Sequence, residues 1–364
     1  MRNLEAIIDK SNLLDLSKKI FNVVLNTDEF QEEREVNLHS KILNAETINF
    51  VLADGLGNEN LKISRSDYLK SFNSFSVNST FPSSTNVALS TINYVAKPCD
   101  TSILGYYLFD KVQYGLINAL NWNYENKDLL KDEDIKDNKT IWTTLKARGI
   151  TSNNLQPKDL INSALSEYIY KDSHQIGYKD TDELNEIISD SSVLDNRFNF
   201  IYYPNIDISA HVFGVGSEEW HTEIGIFENF IKKLNNSQSR KTYTLITADH
   251  GLTNIPEDNR IYLDYSDDIE IFGDQRSVYI NGESSKVRQL FKNVPGNFLT
   301  NDEVKQLLGN PESNLSKRLY PDYCFLVADG YIVFPKHLKA ELVGYHGGVT
   351  SEEMEVPVIE LTNF

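Results

Sequence analysis

Asp249, His250 and Gly251 close a short apolar run, Thr244-Leu245-Ile246-Thr247-Ala248. A carboxylate and an imidazole at the end of a buried strand can turn toward one cation, and the glycine behind them lets the backbone bend. Alone, the triplet is equally a turn or a helix cap, so its weight depends on company. Two other apolar runs end in the same way. Ile48 to Ala53 leads into Asp54-Gly55-Leu56-Gly57, and Phe198 to Tyr203 leads into Pro204-Asn205-Ile206-Asp207 with His211 four residues on. Residues at i and i+4 share a helical face, so Asp207 and His211 can hold one ion together. His346 stands before Gly347 and Gly348, which permit close approach of a ligand. The other four histidines, His39, His174, His221 and His337, lack such settings and read as surface or packing residues.

Six donors of this kind would make two sites of three. Mixed oxygen and nitrogen donors suit zinc, or manganese, with a position left open for substrate. Two ions about 4 Å apart clamp the attacking and leaving oxygens in displacement at a phosphate ester.

The elements that must carry these residues follow from patterning. Ile48–Ala53, Phe198–Tyr203 and 243–248 read as buried strands, with others at 276–280, 325–328, 330–334 and 356–361. Helices are expected from about 57 to Phe72, from Thr85 to Tyr94, from Ile141 to Arg148 (closed by Gly149), and over 217–235, where Trp220, Ile224, Phe227 and Ile231 recur at helical spacing. Residues 1–40 read as a peripheral helical extension. Residues 127–139 are a charged run and read as solvated. Strands alternating with helices give an α/β fold with a mostly parallel central sheet. The extension is followed by one catalytic domain over 41–364, within which 255–340 form either an insertion or a lid.

Bulk properties narrow the function classes. The net charge of −18 disfavours binding of long nucleic acid, yet a metal centre can still attract a small anion. No apolar run is long enough to span a bilayer, and the N-terminus lacks a signal-peptide core. Two cysteines, Cys99 and Cys324, are too few for a disulfide framework and too far apart for a structural zinc site. A cytoplasmic protein without membrane partners is the expectation, and the oligomeric state stays open.

The order Asp54-Gly-x-Gly, Pro82-Ser-x-Thr85 opening a helix, Asp207-x-x-x-His211, Asp249-His250-Gly251 and His346-Gly-Gly resembles the alkaline phosphatase superfamily. Within it, the chain is most similar to the type I phosphodiesterase and nucleotide pyrophosphatase branch, over about residues 45–361. That resemblance implies a three-layer α/β/α sandwich. It implies two zinc ions, one held by Asp207, His211 and His346, the other by Asp54, Asp249, His250 and the nucleophile.

The nucleophile itself has two candidates. Thr80, in Thr-Phe-Pro, resembles the nucleotide pyrophosphatase motif. Thr85, in Pro-Ser-Ser-Thr, resembles other bacterial members. In the superfamily the nucleophile precedes a helix-closing glycine by ten residues. Counting back from Val95 selects Thr85, although Val95 stands where that glycine would be. Asn86 is a candidate oxyanion donor. The branch also has a histidine in a Pro-x-x-His-Gly segment after this helix, and here that place is taken by Thr101.

The expected activity is hydrolysis of a small phosphodiester or nucleotide through this threonine. Arg65, Lys97 and the more remote Arg276 are the few cations near the motifs, and a dianionic monoester needs more. Tyr106, Tyr107 and Trp122 could stack a nucleobase. A phosphomonoesterase or phosphonate hydrolase is the competing enzymatic reading, and a metal-binding regulatory protein without turnover is the non-enzymatic one. A sulfatase is disfavoured, because no cysteine stands in a Cys-x-Pro-Ser-Arg setting.

Overall fold

A computed structural model describes residues 4–120, 139–190, 192–237 and 241–364. The central sheet has seven strands in the order Ser74–Asn78, Glu355–Thr362, Thr242–Thr247, Thr47–Ala53, Phe198–Tyr203, Ser152–Pro157 and Gln175–Tyr178. The last five run parallel to one another, and Glu355–Thr362 pairs antiparallel with both of its neighbours. Every residue of Thr47–Ala53, Phe198–Tyr203 and Thr242–Thr247 is buried. That burial explains their largely apolar runs, since a parallel strand is covered on both faces.

Helices Thr181–Ser189, Asn205–Phe213 and Glu218–Asn236 pack together, as do Leu13–Leu25, Thr85–Tyr94, Ile141–Ala147 and Ala164–Ile169. The two helical groups make the outer layers of an α/β/α sandwich. Glu218–Asn236 starts where Ser217 accepts the Trp220 N–H at 3.1 Å, and it buries Trp220, Ile224, Phe227 and Ile231.

A second sheet of six strands joins Tyr107–Asp110 and Gly115–Asn118 to Glu270–Gly273, Ser277–Asn281, Gly296–Phe298 and Tyr323–Val327. All its pairings are antiparallel. Much of 255–340 is therefore tied to the segment just after the Thr85 helix.

The helical N-terminal segment is a pair of helices, Leu4–Ile8 and Leu13–Leu25, among its described residues. One expectation needs correction. The helix expected up to Phe72 is broken into Asn58–Ile63 and Asp67–Lys70, because Ser66 turns out of the helix to cap the second piece by accepting the Leu69 N–H. The central sheet is mostly parallel, as expected, with its C-terminal strand antiparallel. The charged run at 127–139 lies almost wholly outside the described residues. Among those residues no helix is long and apolar enough to cross a membrane.

Candidate metal centre

Thr242–Thr247, Thr47–Ala53 and Phe198–Tyr203 are adjacent parallel strands, so their carboxyl ends lie side by side. From the sheet edge this creates, Asp249 with His250, Asp54, and the helix carrying Asp207 all emerge. Open α/β sheets place ligand sites at this position.

Among the described residues, two groups bring three metal-type donor atoms within 4.8 Å of one another: Asp54, Asp249 and His250, and Asp207, His211 and His346. The first group is sealed from solvent, with its residues 3%, 0% and 0% exposed. In the second, the Asp207 and His211 side chains keep 14% and 19% of their surface, and their closest atoms, Oδ2 and Nε2, are 3.3 Å apart. The His250 and His346 rings stack at 3.8 Å between centroids, which joins the groups into one centre.

The backbone orients all three imidazoles. Nδ1 of His211 meets the Gly344 carbonyl at 2.7 Å, Nδ1 of His346 meets the Ser83 carbonyl at 2.8 Å, and Nδ1 of His250 meets the Gly251 carbonyl at 3.2 Å. A carbonyl only accepts, so each Nδ1 carries the proton and each Nε2 presents a lone pair. Metal-binding histidines are held in this way. Asp54 is steadied by the Tyr202 hydroxyl, which donates to its Oδ2. Asp249 Oδ1 accepts the N–H groups of Gly55 at 3.1 Å and of His250 at 3.0 Å.

One oxygen of each carboxylate is left over. Asp54 Oδ1, Asp249 Oδ2 and Asp207 Oδ1 are buried without a hydrogen-bond partner. An unmatched buried carboxylate oxygen is costly, and a cation is the partner that such oxygens and three imidazole lone pairs fit.

The electrostatics agree. Burial, and then the neighbouring Asp249 and Asp207 charges, push the Asp54 carboxyl well above the usual range. Burial raises Asp249 and Asp207 as well. Burial and the nearby His211 push His250 down to about 3, and burial with the His250 and His211 neighbours lowers His346 far below its ordinary value. Without a cation, neither the acids nor the imidazoles are at ease when charged.

Thr85 is the first residue of the helix Thr85–Tyr94, and its Oγ1 lies 3.0 Å from His250 Nε2. Thr80 is turned away, with its hydroxyl donating to the Pro82 carbonyl at 3.1 Å. The helix ends at Val95, which has φ +53° where a glycine would be at ease. Asn86 is fully buried, its Nδ2 donating to the Gly105 carbonyl at 2.7 Å and its Oδ1 accepting from Ser84 at 3.1 Å. Both ends of that amide therefore brace the turn. Thr101 is buried and donates to the Pro98 carbonyl at 3.0 Å, closing its own turn.

Tyr106 and Tyr107 are partly buried and meet edge to face at 5.0 Å, and Tyr107 also packs on His337 at 5.5 Å. Trp122 lies outside the described residues. The three cations near the motifs each have an acid: Arg65 with Glu218, Lys97 with Glu33, and Arg276 with Glu353.

Several supporting residues carried no local signal in the sequence. Ser83 is fully buried, and its hydroxyl accepts the Gly347 N–H at 3.0 Å while donating to the Gly348 carbonyl at 2.9 Å. With its carbonyl on His346, it stitches the turn before Thr85 to the His346 loop. Asp274 accepts the Tyr106 N–H at 3.0 Å, and a Cβ on Gly347 would come within 2.8 Å of it.

A family model described as type I phosphodiesterase / nucleotide pyrophosphatase matches residues 50–308. The chain belongs to that family. As a member of it, the chain is a hydrolase of the phosphoester-cleaving class. Among curated proteins none matches the sequence significantly. Among solved structures, murine ectonucleotide pyrophosphatase/phosphodiesterase 5, in an inactive form in complex with AMP, superposes with a TM-score of 0.65 at 16% identity, over 86% of this chain and 87% of that one. Phosphonoacetate hydrolase from Sinorhizobium meliloti, in complex with phosphonoacetate, superposes with a TM-score of 0.65 at 14% identity, over 87% of this chain and 90% of that one. At such identities the likeness is one of fold, and that fold is the alkaline phosphatase-like one.

Proposed function

We infer that this family member is a two-metal phosphodiesterase or nucleotide pyrophosphatase with Thr85 as its nucleophile. The observation that carries the reading is the Thr85 hydroxyl, 3.0 Å from His250 Nε2 and beside a buried triad with two unpartnered carboxylate oxygens. Asp54, Asp249 and His250 would hold one divalent ion, and Asp207, His211 and His346 the other. Zinc suits these donors, with manganese as the alternative. When bound, such ions supply positive charge for the attacking and leaving oxygens.

The protein's own part is positional and covalent. Thr85 sits at a helix N-terminus, where free backbone N–H groups favour negative charge on its oxygen. Its Oγ gives up its proton and bonds to phosphorus as the bond from phosphorus to the leaving oxygen breaks and that oxygen takes up a proton, giving a threonyl phosphoester. Water then attacks that phosphorus, the bond to Oγ breaks, and the hydroxyl regains its proton.

A diester or anhydride is favoured because Arg65, Lys97 and Arg276 are all paired with acids, which leaves them little charge for a dianionic monoester. The AMP in the murine relative's complex makes a nucleotide a reasonable first substrate. Tyr106 and Tyr107 would be the faces for its base. The equal superposition on phosphonoacetate hydrolase supports a second reading, hydrolysis of a phosphonate. A cytoplasmic location stays part of the proposal, on two buried free cysteines.

The deciding assay compares bis-p-nitrophenyl phosphate, p-nitrophenyl phosphate and phosphonoacetate with added zinc or manganese. Faster turnover of the diester is expected. Faster turnover of the monoester or the phosphonate would replace the first reading with one of its competitors.

A further inference from the structure

Arg276 and Glu353 form an ion pair in which both side chains are 0% exposed, and neither enters the chemistry above. Taking two charges out of water costs several kcal/mol for each ion, and the geometry must be good for the pair to offset it. Here it is bidentate. Arg276 Nε donates to Glu353 Oε1 at 2.6 Å and Nη2 donates to Oε2 at 2.8 Å.

Glu353 is occupied further. Its carboxylate accepts the Gly348 N–H at 2.9 Å, the Thr350 N–H at 3.3 Å and the Thr350 hydroxyl at 2.9 Å. Its own carbonyl accepts the Gly251 N–H at 2.9 Å. Gly348 is two residues after His346, and Gly251 directly follows His250. One residue therefore touches the loops that carry a histidine of each triad. The Gly348 backbone is shaped for this contact: a Cβ there would lie 2.7 Å from Glu353 Oε2, 2.8 Å from Oε1 and 2.9 Å from Arg276 Nε.

We propose that Glu353, held by Arg276, is a positioning residue for metal binding, fixing the His346 and His250 loops at the spacing that lets both triads close on their ions. The proposal rests on the two-metal reading. Its pull is on the loop backbone, so the expected effect is a weaker ion affinity in a folded protein.

The experiment is zinc titration by calorimetry on the full chain, with melting of the metal-free protein measured in parallel. Wild type should bind about two zinc ions per chain, and an absence of binding would remove the two-metal reading itself. Glu353→Gln keeps the shape and one acceptor oxygen but loses the bidentate pair. It should bind zinc about tenfold more weakly at a temperature where it remains folded, the lower end of what supporting groups around metals contribute. Thr350→Val, which removes one donor to Glu353 and keeps the volume, should weaken zinc in the same direction by less, and it serves if the first variant does not fold. Wild-type zinc affinity in a folded Glu353→Gln, with only the melting temperature lowered, would overturn the proposal and leave the pair a purely structural one. Unchanged zinc affinity in Thr350→Val would overturn it equally if that is the variant that folds.

Discussion

The two donor groups are built differently. Asp54, Asp249 and His250 come from two adjacent strand ends and are sealed, with at most 3% of any of them exposed. Asp207 and His211 come from a helix at the end of a third strand, keep 14% and 19% of their side-chain surface, and need His346 from a loop more than a hundred residues on. Thr85 is hydrogen-bonded to His250 of the sealed group. The contrast suggests a division of labour. The closed group would hold Thr85, the proposed nucleophile, in a dry, low-dielectric setting, where charge acts most strongly. The open group, the more exposed of the two, would be the one that meets substrate and the leaving oxygen.

The sharpest way to break that division is at the nucleophile. Thr85→Ala should lower kcat/KM on bis-p-nitrophenyl phosphate by about 10³-fold or more, as loss of a covalent nucleophile does. Thr80→Ala should stay near the wild-type rate, because its hydroxyl closes only its own turn. A Thr85→Ala enzyme with near-normal turnover would end the assignment.

Removal of metal should separate the groups next. With two ions bound, dialysis against a chelator should strip zinc in two phases, the open group emptying first. His211→Ala should abolish the fast phase and Asp249→Asn the slow one, followed by zinc content per chain over time. A single phase unaffected by either substitution would show that the difference in exposure has no consequence for exchange.

Ser83 tests the seam between the groups, since its hydroxyl bonds both Gly347 and Gly348 while Thr85 lies two residues away. Ser83→Ala leaves a buried N–H without its acceptor, at a cost of about 1–3 kcal/mol. A drop of about tenfold in kcat is expected, by analogy with other supporting groups around metals. Steady-state kinetics and a melting curve together check it, and an unchanged kcat would confine Ser83 to stability.

What the sequence reveals follows the same line. Asp54, Asp207, Asp249 and His250 are legible because each stands at or just beyond the end of a wholly buried strand, and burial leaves a largely apolar run before the acid. Thr85–Tyr94 is legible from its Pro-Ser turn. Ser83, Asp274 and Tyr202 are not, because each acts on a residue distant in the chain, and no local period encodes such a pairing; for Glu353 the Thr350-x-x-Glu353 capping box is a local signal, but its pairing with Arg276 is not. Ser83 with Gly347 and Tyr202 with Asp54 are separated by 264 and 148 positions. The six-stranded sheet is hidden for the same reason, since Tyr107 pairs with Gly273.

Asp274 offers a gentler probe, lying behind the seam. Burial pushes its carboxyl up to about 7, against about 3.9 for a free aspartate. The folded state therefore holds its proton more tightly than the unfolded one. Its contribution to stability is full below about pH 4 and is lost as pH rises toward 7. Asp274→Asn can still accept the Tyr106 N–H and should reduce the fall in melting temperature across that window. An identical pH profile in the variant would show that Asp274 is not the group responsible.

The smallest effect should come from the far end of the Thr85 helix. Val95 adopts φ +53°, a left-handed conformation that costs a β-branched residue roughly 1–2 kcal/mol. Glycine accepts it freely but gives back roughly 0.5–1 kcal/mol in unfolded-state entropy. Val95 is also largely buried, at 9% exposure, so its removal sacrifices some packing. Burying a valine side chain contributes roughly 1.5–3 kcal/mol, so the balance for Val95→Gly is a net loss of about 1 kcal/mol, read as a lower melting temperature with kcat unchanged. A melting temperature at or above that of wild type would refute this, whereas such a loss means that the Val95 side chain contributes more by packing than its backbone costs. The helix that presents Thr85 would then be held at its far end by burial, with the capping geometry secondary.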